Sequence, residues 1–260
     1  MHIRVINPNT TASMTALIGS SARAVAGPGV TVEAVNPAMG PASIESHYDE
    51  TLAVPGLLTE IRAGERDGAD GYVVACFGDP GLDAAREVAA GPVVGIAEAA
   101  MHAAMLVGRG FSVVTTLGRT AGRAHDLAHR YAPAGACRGV HACEIPVLDL
   151  ETDPTVLPRV VTLARQALAT DGSDVIVLGC AGMAGFCAEV SARVGVPVID
   201  GVTAATLMVQ SLVTLGLGTS KHGEYAAPLV KPYTGMLNGF TQPRGGDSRQ
   251  GGVRAEEGPG

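Results

Sequence analysis

The residues best suited to chemistry in this chain are two cysteines in matching places. Gly68-Ala69-Asp70-Gly71-Tyr72-Val73-Val74-Ala75-Cys76 and Gly172-Ser173-Asp174-Val175-Ile176-Val177-Leu178-Gly179-Cys180 read as one segment written twice. Gly, Asp and Cys recur in register 104 residues apart, and each cysteine has a glycine two residues on, Gly78 and Gly182. A thiolate is the reactive form of cysteine, and its ordinary pKa of about 8.5 lies near working pH, as general acid/base catalysis requires. Glycine lets the chain turn tightly and expose backbone N–H groups, which could hold an oxyanion. A strand-to-helix turn also places a thiol near a helix N-terminus, which is expected to lower its pKa. Two such thiols suit a reaction that is nearly its own mirror image.

The other candidates are weaker. Cys137, Cys143 and Cys187 lack the duplicated placement and read as packing residues. His125 and His129 are four apart on an expected helix, but no Glu follows His125 as a zinc-protease motif needs, so a solvated helix face is the reading and no metal is expected. No Cys-x-x-Cys, no Walker lysine and no G-x-G-x-x-G after a strand is present, so no cofactor is expected. A cysteine nucleophile with a histidine base stays open, although no His is adjacent in sequence to Cys76 or Cys180. Asp79, Glu98 and Asp200 fall near expected strand ends, and Asp200 could equally cap the helix after it.

The elements that must position the thiols alternate between Val/Ile-rich runs and longer Ala/Leu-rich stretches. Strands are expected over 3–6, 30–35, 71–75, 93–96, 111–115, 140–145, 174–179 and 196–199. Helices are expected over 11–25, 51–66, 82–90, 98–107, 121–131, 156–170, 184–194 and 203–215. Near-continuous apolar strands joined by helices mean parallel sheets covered on both faces. The duplication extends to Gly91-Pro92-Val93-Val94 against Val196-Pro197-Val198-Ile199. The expected fold is therefore α/β, with two similar four-stranded parallel-sheet lobes related by a pseudo-two-fold repeat. Residues 1–98 plus about 205–240 would form the first lobe and 99–204 the second. Ligands of open α/β sheets bind beyond the carboxyl ends of the strands, so Asn7, Cys76, Thr115 and Cys180 would gather in the cleft between the lobes.

Composition narrows the setting. A chain of 260 residues with 47% hydrophobic content can build a large core. A net charge of −7 argues against nucleic acid or an anionic membrane as the main partner. The start turns polar too soon for a signal peptide and no run of 18 apolar residues occurs, so a cytoplasmic home with reduced cysteines is expected. The Gly- and charge-rich tail from Arg244 to Gly260 is expected to be disordered.

Three stretches together carry a resemblance. Asn7-Pro8-Asn9-Thr10-Thr11, Ala75-Cys76-Phe77-Gly78-Asp79-Pro80-Gly81 and Leu178-Gly179-Cys180-Ala181-Gly182-Met183 resemble the aspartate/glutamate racemase superfamily. Gly40-Pro41-Ala42-Ser43-Ile44-Glu45-Ser46-His47-Tyr48-Asp49-Glu50 and Gly95-Ile96-Ala97-Glu98-Ala99-Ala100 are similar to its hydantoin racemase branch, and the likeness covers about residues 1–235. It implies a cofactor-independent racemase of 5-monosubstituted hydantoins, in which Cys76 and Cys180 take and return the C5 proton from opposite faces. Asn7, Asn9, Ile44, Phe77, Gly78, Asp79, Thr115, Thr116, Ala181 and Gly182 are the expected substrate-binding residues. It also implies a homo-oligomer. Amino-acid racemases of the superfamily carry Thr-His after the second cysteine, where this chain has Ala181-Gly182, and that departure argues against aspartate or glutamate. Allantoin, itself a 5-substituted hydantoin, is the nearest rival substrate. A decarboxylase, a cis–trans isomerase or a non-enzymatic binding module are more distant readings.

Overall fold

The structure is a computed structural model that describes residues 1–241, so the tail expectation over 244–260 lies outside the described residues. Its elements run β1 (His2–Ile6), α1 (Ala12–Val25), β2 (Thr31–Val35), α2 (His47–Asp67), β3 (Gly71–Val74), α3 (Leu82–Val88), β4 (Val93–Gly95), α4 (Ile96–Val107), β5 (Phe111–Thr115), α5 (Ala121–Tyr131), β6 (Cys137–Ala142), α6 (Val156–Thr170), β7 (Val175–Leu178), α7 (Cys187–Val194), β8 (Val198–Asp200) and α8 (Gly201–Thr214). They build two four-stranded sheets, ordered β2-β1-β3-β4 and β6-β5-β7-β8, with every pairing parallel. The central strands β1, β3, β5 and β7 are buried almost throughout, which their unbroken Val/Ile runs require when helices cover both faces. The doubly wound, duplicated architecture read from the sequence is the one observed.

The helix that follows each sheet packs across to the other. Helix α4 leaves the first sheet and packs on β5, β7 and β8, whereas α8 leaves the second sheet and packs on β1, β3 and β4. The two helices also pack on each other, so a crossed seam joins the lobes. Their N-termini touch: a Cβ placed on Gly201 would lie 2.2 Å from the Ile96 carbonyl oxygen, so only glycine fits there.

Several boundaries differ from expectation for local reasons. Strand β6 covers Cys137–Ala142 rather than 140–145. Cys143 and Ile145 are buried and their N–H groups still donate to the Thr115 and Thr116 carbonyls at 2.9 and 3.2 Å, but Glu144 has a φ of 51° and Pro146 follows, so regular strand pairing ends at Ala142. As an edge strand β6 is only half-buried and carries Arg138 and His141, which weakens its apolar signal. Helix α2 starts at His47 instead of 51 because Ser46 caps it, accepting from the Asp49 N–H at 3.2 Å. Residues 181–186 form a 3-10 turn ahead of α7, since Gly182 and Gly185 are poor α-helix formers.

Candidate active site

Cys76 follows β3 and Cys180 follows β7, the same position in the two sheets. Both are free, partly exposed thiols, and both line one small cavity of about 60 Å³ where the carboxyl ends of the two sheets face each other. Of the residues expected at a substrate, Asn7, Asn9, Ile44, Phe77, Gly78, Thr115, Thr116 and Ala181 also line that cavity. Asp79 and Gly182 do not.

The strand ends are held by short polar contacts. The Asn7 side-chain amide donates to Asn9 Oδ1 at 2.8 Å and to Thr15 Oγ1 at 3.0 Å, and the Thr11 N–H donates to Asn9 Oδ1 at 2.9 Å. In the second lobe the Thr115 hydroxyl donates to the Gly179 carbonyl at 3.1 Å, tying the end of β5 to the residue before Cys180. The asparagines and Thr115 thus shape the cavity wall through their own hydrogen bonds.

Asp79 and Asp200 have structural duties. Asp79 has a φ of 45° in the turn after Cys76, and its buried carboxyl accepts from the Ala97 and Glu98 N–H groups at 3.1 and 2.9 Å. It therefore locks the Cys76 turn onto the start of α4, and a Cβ on Gly95 would collide with it at 2.3 Å. Burial pushes its pKa up to about 7, against the pull of those two N–H donors. Asp200 caps α8, accepting from the Thr203 N–H at 2.9 Å. Glu98 faces away from the thiols and pairs with Arg86 at 2.6 Å. His125 and His129 are exposed on α5, and among the described residues no cluster of three or more His, Cys, Asp or Glu side chains could hold a metal.

The expected lowering of the thiol pKa by a helix N-terminus is corrected. Neither cysteine opens an α-helix: α3 starts at Leu82, and Cys180 is followed by the 3-10 turn. Desolvation dominates instead, pushing Cys180 up to about 11 and Cys76 higher still. The backbone N–H groups of Gly78 and Gly182 favour the Cys76 and Cys180 thiolates and partly offset that penalty. Cys76 is raised further by Cys180, Glu50 and Asp79 around it, whereas Cys180 faces Cys143 and Glu45. Both thiols are consequently held in the protonated form at neutral pH. Cys187 donates to the Val198 carbonyl at 3.1 Å and Cys143 to the Thr116 carbonyl at 3.6 Å, contacts within the second lobe's core.

The charged part of the lining was missed by sequence reasoning. Glu50 in the first turn of α2 and Arg123 on α5 both border the cavity, with Ser46 and Thr120 beside them. Burial raises the Glu50 pKa, and Arg123 opposes the rise from 3.6 Å. The capping pattern Ser46-x-x-Asp49 was the available signal for Glu50, because it starts α2 at 47 and turns Glu50 inward. Arg123 reaches the site across the cleft, a contact between lobes with no local sequence signal.

A pair of partly desolvated thiols facing one cavity can take a proton from one side of a carbon acid and return one from the other. Residues 3–209 match the family described as Asp/Glu/Hydantoin racemase. A hydantoin racemase of Rhizobium meliloti is 51% identical over 90% of this chain and 98% of its own. An allantoin racemase from Klebsiella pneumoniae superposes with a TM-score of 0.90 at 51% identity, covering 93% of this chain and 99% of its own. A second allantoin racemase, from Pseudomonas fluorescens, gives a TM-score of 0.87 at 41% identity, with 90% and 100% covered. Matched along nearly its whole length, the chain belongs to the Asp/Glu/hydantoin racemase family of isomerases.

Proposed function

We propose that this protein racemises 5-monosubstituted hydantoins by a two-base mechanism in which Cys76 and Cys180 serve as the bases. The observation that carries the reading is that one cavity is lined by both thiols, each at the end of the equivalent strand of its sheet. One thiolate removes the C5 proton, the electron pair enters the adjacent ring carbonyl as an enolate, and the opposite thiol delivers its proton to the other face. The roles reverse with the direction of reaction. No cofactor takes part in this scheme. A cavity of about 60 Å³ suits a small flat ring, being of the order of four or five water-sized volumes. Asn7, Asn9, Ile44, Phe77, Gly78, Thr115, Thr116 and Ala181 form the walls against which the ring would lie.

Allantoin is a second reading favoured by one feature. Ser46, Glu50, Thr120 and Arg123 make one part of the lining polar, and a ureido group could hydrogen-bond there where an alkyl group could not. We further propose a division into lobes over 1–98 plus about 205–240 and over 99–204, assembly as a homo-oligomer, and residence in the cytoplasm.

The test is loss of optical rotation from single enantiomers of 5-alkylhydantoins, allantoin, aspartate and glutamate. Racemisation of at least one hydantoin, and of neither amino acid, is expected. Inactivity on every hydantoin would overturn the proposal, and the ratio of allantoin to alkylhydantoin turnover decides between the two substrates.

A further inference from the structure

The two lobes are not equal around their cysteines. Arg123, on α5 of the second lobe, reaches across the cleft to the first. Its Nε and Nη2 donate to the Gly78 carbonyl at 3.1 and 2.7 Å. Gly78 lies two residues after Cys76 in the same turn, and its backbone N–H favours the Cys76 thiolate. The same guanidinium stands 3.6 Å from the Glu50 carboxylate, which packs over Gly78 so closely that a Cβ on Gly78 would meet it at 2.4 Å. At the other thiol, the corresponding Gly182 is backed by the Leu150 side chain.

From this arrangement we infer that Arg123 is a positioning residue for Cys76 alone: it grips the Gly78 peptide from the opposite lobe and offsets the Glu50 charge beside that thiol. The inference rests on the reading of Cys76 as an acid/base group. The titratable and charged groups facing Cys76 are Cys180 from the second lobe, Glu50 from α2, Asp79 from its own turn and Arg123 from α5. Three of these oppose its ionisation, and Arg123 is the cation among them. Two parallel donors to one carbonyl fix the peptide plane in a way that a lysine ammonium cannot. The same contact ties α5 to the turn after β3 beside the cavity.

The test follows alkylation of Cys76 and Cys180 by iodoacetamide against pH, each resolved by mass spectrometry in the same molecule, since only the thiolate reacts. Arg123→Gln is expected to move the Cys76 profile to higher pH by about one unit, a tenfold loss of thiolate at fixed pH, while the coupled Cys180 moves clearly less and serves as the internal comparison. Glu50→Gln should move Cys76 the opposite way. Arg123→Lys keeps the charge but not the two-donor grip, and should give a smaller shift of the same sign as Arg123→Gln. The acid limb of kcat/KM should follow the Cys76 profile in each variant. Equal shifts of both cysteines, or no shift of Cys76, would overturn the inference. Alkylation needs no substrate, so a wild-type protein that racemises no hydantoin would refute the functional reading and leave this outcome separately readable.

Discussion

At the scale of the residue, the proposed mechanism places the reaction on the paired thiols, whose protonation would set its pH dependence. Burial outweighs the glycine N–H groups, so Cys180 is pushed up to about 11 and Cys76 beyond it. The thiols interact, so the first ionisation belongs to the pair. Because one thiolate is needed, kcat/KM should still be climbing above pH ~8.5, the ordinary thiol value. A plateau reached by about pH 7 in a rate profile would contradict this. Stability should run the other way. A thiol whose pKa is raised on folding holds its proton after the unfolded chain has lost it. Stability is therefore full below about pH 8.5 and falls as pH rises toward 11 through Cys180. Urea midpoints measured across that window test the sign, which Cys180→Ala should weaken. Cys76→Ala and Cys180→Ala should each slow racemisation by roughly 10²–10⁴-fold, the usual worth of one acid/base group, as polarimetry would measure. The two cysteines were legible in the sequence because duplication marked them. Their raised pKa was not, because it depends on which atoms exclude water around the sulfur.

At the scale of the element, the turn after β3 and the start of α4 are one unit joined by Asp79. Its carboxyl satisfies two N–H groups that would otherwise lack partners at the helix start. Asp79→Ala should cost roughly 1–3 kcal/mol, read as a lower thermal midpoint, and should also reduce activity because the Cys76 turn loses its anchor. Asp200→Ala removes an ordinary cap from α8 and should cost roughly 0.5–2 kcal/mol with less effect on turnover. Near-wild-type stability in Asp79→Ala would show that the turn is held by something else. Sequence reasoning placed Asp79 near a strand end, and the resemblance put it among the expected substrate-binding residues. The left-handed backbone at Asp79 turns its side chain toward α4 instead, and no spacing rule reveals that. Glu50 was hidden because helix α2 was started at Thr51, although Ser46 and Asp49 already spelled an earlier cap.

At the scale of the whole molecule, the duplicated sheets were readable because strand runs, glycines and cysteines repeat at one offset. The crossed helices were not, since nothing in the composition of α4 or α8 says which sheet each will cover. That crossing makes Gly201 critical: its Cα lies against the Ile96 carbonyl at the seam between the lobes. Gly201→Ala must part α4 from α8 to relieve a 2.2 Å contact with backbone, and is expected to lower the unfolding midpoint and the activity together. The cleft these lobes form is the basis of the central claim, that two thiols on opposite sides exchange one proton. The most direct measurement is racemisation of a single-enantiomer hydantoin in deuterated water, stopped early, with the C5 hydrogen isotope determined separately in each enantiomer. The account requires solvent deuterium in the newly formed enantiomer while the recovered starting enantiomer retains its protium. Deuterium entering the starting enantiomer as fast as the product forms would mean that one base serves both faces, and would contradict the account.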